Sequence, residues 1–293
     1  MIIVTGANGL LGRAIVEKLV ERVPAAQIGV SVRDPEKARE LEARGVRVRR
    51  GDFDDAVSLA HAFEGATQVL IVSSNASAYG GDPLAQHRSA IEAARAAGAG
   101  RIVYTSHMAA GSASLFPPML DHAATEDMLR QSGLAWTALR NGFYAGSGIM
   151  FMGDALKTGV LEAPADGKVS WTAHTDLAEV AAILLADEGR YEGPTPPLTG
   201  SQSLDLADLA KIASELQAQP VHRQILSDEE LRAKMAVRGV PDRVADIAQG
   251  FYLASRQGEF AAVDPTLERL LGRSPISMRD LIAEKVGSDD TGS

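Results

Sequence analysis

The sequence predicts a doubly wound parallel α/β sheet followed by a smaller C-terminal α+β lobe, and three observations carry that reading. An apolar run too short for a helix, Met1 to Val4, runs into Thr5-Gly6-Ala7-Asn8-Gly9-Leu10-Leu11-Gly12. An amphipathic stretch follows at once, with Leu11, Ala14, Ile15, Leu19 and Val23 on one face. Short apolar runs and helical periods then keep alternating to about residue 140, the rhythm of a parallel sheet with right-handed crossovers. Ligands of such sheets collect at the carboxyl ends of the strands.

Each element has its own local reason. In the first turn, Gly6 lets the chain reverse, Gly9 lets the backbone approach a pyrophosphate, and Gly12 lets the helix pack on the strand. Unpaired amides at the helix start, on the positive end of its dipole, face the phosphates. Gln27 to Val32 reads as the second strand. Asp34 then caps a helix with Pro35 at its first position, and Gly45 ends it. Val46 to Arg50 alternates as a third strand, followed by Gly51-Asp52-Phe53 and a helix to about Phe63. A strand Val69 to Ser73, a long helix from Pro83 to Ala97 and a strand Ile102 to Thr105 continue the series. His107 to Pro118 is rich in Ala, Ser, Gly and Pro and reads as a long loop, a candidate lid or pocket wall. A helix from about Asp121 to Gln131 and a sixth strand, Trp136 to Leu139, come next.

Beyond that point the pattern changes. Ile149 to Trp171 is Met-, Phe- and Gly-rich with short irregular runs. Asp176 can start a helix over Leu177 to Leu185, and Leu204 to Leu216 and Glu229 to Val237 read as two more. The expected division is a Rossmann-type dinucleotide-binding domain over 1–145 and a smaller substrate lobe over 146–287, interleaved with the end of the sheet. A disordered tail is expected over 288–293.

The composition bounds the function. A chain of 293 residues, 45% hydrophobic, with a mean hydropathy of −0.03, can bury a large core. No apolar run has bilayer length and the first strand starts at Met1, so a soluble, untargeted, cytoplasmic protein is expected. The absence of cysteine excludes disulfides, thiolate metal sites and cysteine nucleophiles. A net charge of −9 argues against a nucleic-acid partner. His61, His87, His174 and His222 have no metal-ligand spacing, and no metal site is expected.

Arg33 ends the second strand, where NAD-preferring folds place an acidic residue on the ribose diol. A guanidinium there can pair with a 2′-phosphate, and Lys37 lies one helical turn on, so NADPH is expected over NADH. Asp34 could hold the diol instead, but as a helix cap it already has a role. Asp52 and Phe53 can offer an acceptor and a ring edge to the adenine. Capping the next helix is the competing role for Asp52.

Taken together, Thr5 to Gly12, Val32-Arg33-Asp34-Pro35-Glu36-Lys37-Ala38, Gly51-Asp52-Phe53, Tyr104-Thr105-Ser106, His122-Ala123-Ala124-Thr125-Glu126 and Leu139-Arg140-Asn141-Gly142-Phe143-Tyr144 resemble the NmrA-like branch of the atypical short-chain dehydrogenases/reductases. Within it the sequence is most similar to the type 2 NAD(P)H:quinone oxidoreductases, then to the triphenylmethane reductases. The resemblance spans nearly the whole chain, terminal helices included. It implies NADPH as hydride donor and a planar acceptor such as a quinone. It also implies Gly6, Asn8, Gly9, Leu10 and Leu11 at the pyrophosphate, Arg33 at the 2′-phosphate, and Asp52 and Phe53 at the adenine. Ser73, Ser74, Asn75 and Thr105 would line the ribose and nicotinamide, and Asn141, Phe143 and Tyr144 would stand beside the nicotinamide and acceptor. Asn8 departs from the threonine common there, while remaining polar.

The Tyr-x-x-x-Lys pair of ordinary short-chain dehydrogenases is missing. Tyr79, Tyr104, Tyr144, Tyr191 and Tyr252 are followed four residues on by Pro83, Met108, Gly148, Thr195 and Arg256, and the helix in question carries His122 and Glu126 at that spacing. Alcohol chemistry is thereby disfavoured. A quinone or cationic dye accepts hydride with little prior protonation, so the protein has only to hold donor and acceptor in a dry slot. Tyr144 and His122 are the candidate catalytic donors to a developing oxyanion. Plain packing competes for Tyr144, and a bond to nearby backbone for His122. His107, Met108, Phe143, Met150, Phe151 and Trp171 are candidate pocket residues, with core packing the competing role for Phe151 and Trp171. The expected activity is direct hydride transfer from NADPH to a quinone or similar conjugated electrophile, by a monomer or homodimer with no membrane partner. The alternative is an NmrA-like redox sensor that binds the dinucleotide without turnover.

Overall fold

The structure, a computed structural model, describes residues 1–217 and 219–290. β1 (Ile2–Thr5), α1 (Leu10–Leu19), β2 (Ile28–Val32), α2 (Arg39–Ala43), β3 (Arg47–Arg50), α3 (Ala56–Phe63), β4 (Gln68–Ile71), α4 (Pro83–Ala96), β5 (Arg101–His107), α5 (Pro117–Gln131) and β6 (Ala135–Asn141) follow the expected alternation. Then come β7 (Phe143–Tyr144), α6 (Ala145–Met152), α7 (Ala155–Thr158), β8 (Val160–Pro164), β9 (Trp171–Thr172), α8 (His174–Ala186) and β10 (Gly193–Pro194). The chain ends with α9 (Leu206–Gln217), β11 (His222–Leu226), α10 (Asp228–Val237), α11 (Asp242–Arg256), α12 (Thr266–Leu271) and α13 (Met278–Asp290). Of the tail expected over 288–293, residues 288–290 continue α13 and 291–293 lie outside the described residues.

Two compact units result, Met1–Ser112 with Leu120–Arg140 and His174–Pro196, and Ala113–Met119 with Asn141–Ala173 and 197 onward. The first is a seven-stranded sheet in the order β10-β6-β5-β4-β1-β2-β3. Its pairings are parallel, with Ile2 opposite both Ile28 and Gln68, Gln68 opposite Arg101, and Gly193 opposite Thr137. Parallel strands covered on both faces read as near-continuous apolar runs, as Ile2–Val4 of β1 and Val69–Ile71 of β4 do. Ile3, Val69, Ile71, Ile102, Tyr104, Trp136 and Ala138 form one buried layer with Leu59, Phe63, Ala90, Ile91, Ala94 and Leu129 of α3, α4 and α5. Their strand neighbours Val4, Leu70 and Val103, also buried, point to the other face by the period of two. The strand order reverses between β1 and β4, so a crevice opens at their carboxyl ends. There Val72 N–H donates to Thr5 Oγ1 at 2.9 Å and ties the two strand exits together.

α8 returns to pack beside α1 and β10 extends the sheet beside β6, so the first unit also takes in residues 174–196. Two departures from the sequence reading have physical causes. β5 runs on through Ser106 and His107, and α5 begins at Pro117, so the expected long loop shrinks to residues 108–116. Proline at a helix start is pre-shaped for it, and burial keeps the polar strand residues extended. The segment read as irregular over 149–171 holds the end of α6, then α7, β8 and the start of β9. In the second unit β8 pairs with β11 and β7 with β9, both in parallel.

Candidate active site

In the first unit the glycine turn has the geometry its spacing predicts. Gly6 sits at φ 66°, a left-handed conformation, and its N–H donates to the Ser31 carbonyl at 3.1 Å. At Gly12 a Cβ would stand 2.7 Å from the Gly6 carbonyl carbon, so only glycine lets α1 come this close. At Gly9 a Cβ would meet only the Gly6 oxygen, at 3.4 Å. The protein leaves that space open, which is what a pyrophosphate requires. Gly9 caps α1 without any side-chain bond, so the first-turn amides of Leu10 and Leu11 face outward as an anion cradle.

Arg33 follows β2, exposed and without an ion pair among the described residues. Asp34 is the expected cap, its carboxylate accepting from Glu36 N–H at 3.2 Å with Pro35 next in line. Asn8 donates its Nδ2 proton to the Asp34 carbonyl at 2.8 Å, so its side chain ties the first turn to the second. The competing role for Asp52 disappears. Asp55 caps α3, accepting from Ser58 N–H at 3.1 Å, while Asp52 Oδ1 takes only Asp54 N–H at 3.2 Å. Phe53 is partly buried against the sheet core.

At the next strand exits the hydroxyls are largely committed. Thr105 is buried, and its Oγ1 accepts from Ser73 N–H at 2.8 Å and donates to Ser73 Oγ at 3.3 Å. It therefore shapes the Ser73–Ser74–Asn75 loop from beneath. Asn75 is exposed and Ser73 and Ser74 half-buried. His107 and Met108 are buried, and His107 Nδ1 accepts from Ala109 N–H at 3.1 Å.

His122 Nδ1 and the Tyr104 hydroxyl share a 2.7 Å hydrogen bond, so the ring is bonded to a side chain of β5 and not to its own helix. Tyr104 belongs to the Tyr104-Thr105-Ser106 segment of the family resemblance, which gave it no role of its own. It sits at an inward position of β5, and only the packing of α5 brings His122 to it. His107 stacks on His122 with centroids 6.2 Å apart. Glu126, at the position of the missing lysine, has both oxygens in use. Arg140 Nε and Nη2 donate to them at 3.1 and 2.7 Å, and Ser106 O–H donates to Oε1 at 2.7 Å.

The second unit holds the remaining candidates. Phe143 lies within 6 Å of Phe116, Trp171, Phe251 and Phe260, ring centroid to centroid. Phe151 packs at 4.6 Å from Phe251, and Trp171 donates Nε1–H to the Leu204 carbonyl at 2.9 Å. Phe143, Phe151 and Trp171 are thus the aromatic core of this unit, the competing role in the case of the last two. Met150 is exposed. Tyr144 bonds to Asn141, and burial pushes its phenol above the usual value, so it keeps its proton at neutral pH. Asn141 Oδ1 is a buried acceptor with no hydrogen-bond partner. Residues 113–119, read from sequence as part of a lid, are anchored here. Glu259 accepts from Ser114 O–H and, at 2.9 Å, from Leu115 N–H.

In the first unit, the open cradle and the unpaired Arg33 fit a phosphorylated dinucleotide. Residues 6–188 match the family described as NAD(P)H-binding. Over 285 residues the chain is 34% identical to quinone oxidoreductase 2 of Escherichia coli K12, covering 97% of this chain and 98% of that one. The chain belongs to the NmrA-like NAD(P)H-binding family.

Its fold agrees with solved members. The E. coli NADPH-dependent quinone oxidoreductase in complex with NADPH superposes with a TM-score of 0.89 at 34% identity, over 98% of this chain and 99% of that one. Citrobacter sp. triphenylmethane reductase complexed with NADP(H) gives a TM-score of 0.87 at 32% identity, over 98% and 100%. The NAD(P)H azoreductase of Xenophilus azovorans is 30% identical over 277 residues, 93% of each chain. This NmrA-like chain is an NAD(P)H-dependent oxidoreductase. Among the described residues no helix is long and apolar enough to cross a membrane.

Three buried histidines in the first unit, held neutral by desolvation, are expected to make this family member acid-sensitive. Burial lowers His87 to about 4 and His107 to about 3, and holds His122 well below its usual value. An unfolded histidine takes up its proton near pH 6.5, before the folded one does, so stability falls as the pH drops from there towards 4. For His87 alone the loss by pH 4 is about 3 kcal/mol. Denaturant unfolding at pH 7, 6 and 5 measures it, and equal midpoints at all three would refute the neutral-histidine assignment.

Proposed function

We propose that the chain is an NADPH-dependent reductase that passes hydride directly to a quinone or a similarly electrophilic conjugated acceptor. The observation that carries this reading is the state of Glu126. The position that holds the lysine of the usual tyrosine–lysine relay is occupied by a carboxylate locked in a bidentate pair with Arg140. The chain's residues are thus arranged to hold and orient, not to activate an alcohol. When bound, reduced nicotinamide supplies the hydride, and an acceptor such as a quinone needs little protonation before it arrives. The names of the E. coli and Citrobacter relatives support both the cofactor and the acceptor class.

The chain's own contributions are specific. The amides of Leu10 and Leu11 would receive the pyrophosphate and Arg33 the 2′-phosphate, with Asp52 and Phe53 at the adenine. Ser73, Ser74 and Asn75 would contact the ribose and nicotinamide, with Thr105 holding that loop in place. Asn141 Oδ1 would accept from the nicotinamide amide. Tyr144 keeps its proton and would donate a hydrogen bond to the oxyanion that forms on the acceptor. His122, neutral and bonded to Tyr104, is the second candidate donor.

The test is NADPH oxidation, followed at its near-ultraviolet band, with benzoquinones, naphthoquinones and a triphenylmethane dye, and with NADH in parallel. Fast, NADPH-selective turnover is expected, and Tyr144→Phe should slow it while sparing NADPH binding. Tight NADPH binding with no oxidation by any acceptor would overturn the reductase reading in favour of a dinucleotide sensor.

A further inference from the structure

Two consecutive residues of α4 reach the loops that leave β3 and β4, and neither belongs to a recognisable motif. Ser74 N–H donates to His87 Nε2 at 2.8 Å, and His87 Nδ1 lies 2.8 Å from Thr125 Oγ1. Thr125 spends its own proton on the Asp121 carbonyl at 2.7 Å, so it accepts from His87. The ring is thereby fixed as the neutral Nδ1–H tautomer, with its Nε2 lone pair aimed at the loop. Beside it, Gln86 Nε2 donates to Asp54 Oδ2 at 2.7 Å, and Gln86 Oε1 accepts from the Ser74 hydroxyl. Ser74 Oγ in turn accepts from Ala76 N–H at 3.1 Å. Backbone and side chain of Ser74 are therefore both held by α4, which also grips the turn after β3.

The helix itself does not need these bonds. Asp82 caps it, accepting from Leu84 and Ala85 N–H, Pro83 opens it, and Ala90, Ile91 and Ala94 bury its apolar face. An apolar residue would suit the buried position 87, since a buried imidazole costs free energy unless both ring nitrogens are bonded. What the histidine supplies is an acceptor for the Ser74 amide.

We propose that Gln86 and His87 are positioning residues for the dinucleotide, setting the spacing between the Asp52–Asp54 turn and the Ser73–Asn75 loop and thereby the affinity for NADPH. The inference rests on the reading that these two loops line the cofactor. Gln86 and His87 act through Asp54 and Ser74. Their removal affects cofactor affinity and leaves the chemical step at saturation nearly unchanged.

The experiment measures NADPH Kd by fluorescence titration of the full chain, together with KM for NADPH, kcat with a naphthoquinone, and the melting temperature. The variants are His87→Leu, His87→Gln, Gln86→Ala and Asn75→Ala. His87→Leu should raise Kd and KM for NADPH about tenfold, the scale of one lost hydrogen bond acting through a loop, with kcat changed by less than about twofold. His87→Gln, whose amide can accept from Ser74 and donate to Thr125, should recover most of the affinity. Gln86→Ala should weaken binding about threefold without lowering the melting temperature, and it carries the test if His87→Leu does not fold. Asn75→Ala separates the two levels of the argument. If it weakens NADPH binding while Gln86→Ala and the folded His87 variants do not, the positioning role is wrong and the loop assignment stands. If it too has no effect, the loop assignment fails and the inference falls with it. Equal losses in His87→Leu and His87→Gln would also overturn it, because shape and not the hydrogen bond would then be at work.

Discussion

Replacing Arg33 by alanine should raise KM for NADPH by on the order of 10- to 100-fold while leaving KM for NADH nearly unchanged. The range follows from the worth of charge-assisted hydrogen bonds to a phosphate, about 1.5–3 kcal/mol. The position makes the test clean. Arg33 is exposed and bonded to nothing else among the described residues, so its loss removes no internal support. Asp34 beside it is occupied as a cap, and the neighbouring Lys37 already lies 3.7 Å from that carboxylate. Arg33 is therefore the uncommitted cation at the end of β2. Steady-state kinetics with both cofactors decides it. Equal losses for NADPH and NADH, or none, would place the 2′-phosphate elsewhere.

A larger effect, on stability, is expected at Glu126. Its side chain is 4% exposed and accepts two bonds from Arg140 and one from Ser106. Glu126→Leu would strand the guanidinium and the hydroxyl together; Arg140 is 31% exposed, so the cost falls at the low end of the range for buried pairs, about 3 kcal/mol. In a chain of this size that lowers the unfolding midpoint by roughly 8 °C. Adding Arg140→Met to Glu126→Leu should restore a good part, because the penalty lies in the uncompensated charge more than in the lost attraction. Thermal unfolding of the two variants is the check. An unchanged midpoint in Glu126→Leu would mean that the pair is solvated and that α5 is held by its apolar face alone.

What could be read from the chain, and what could not, separates along sequence distance. The strand–turn–helix opening, the cap at Asp34 and the alternation of strands and helices through residue 141 rest on neighbours a few positions apart. Steric rules for glycine, capping chemistry and side-chain periodicity suffice for them. Arg33 was legible for the same reason, since its place at a strand end follows from counting along β2. The sequence by itself thus determined the sheet, the glycine turn that opens α1 and the place of Arg33 at the end of β2.

Other features depend on partners that only the folded chain brings together. Glu126 finds Arg140 fourteen residues on, His87 finds Thr125 thirty-eight residues on, and Leu115 finds Glu259 across 144 residues. The return of α8 and β10 to the first sheet after a long excursion has the same character. So does the commitment of Phe143 to an aromatic core. Its ring partners Phe251 and Phe260 lie over a hundred residues away, and an aromatic side chain is drawn equally to a pocket wall or to a core until those partners are in place. Tertiary structure alone decided which polar groups are satisfied and which remain open, because a buried hydrogen bond depends on distance in space, and local sequence does not contain that distance.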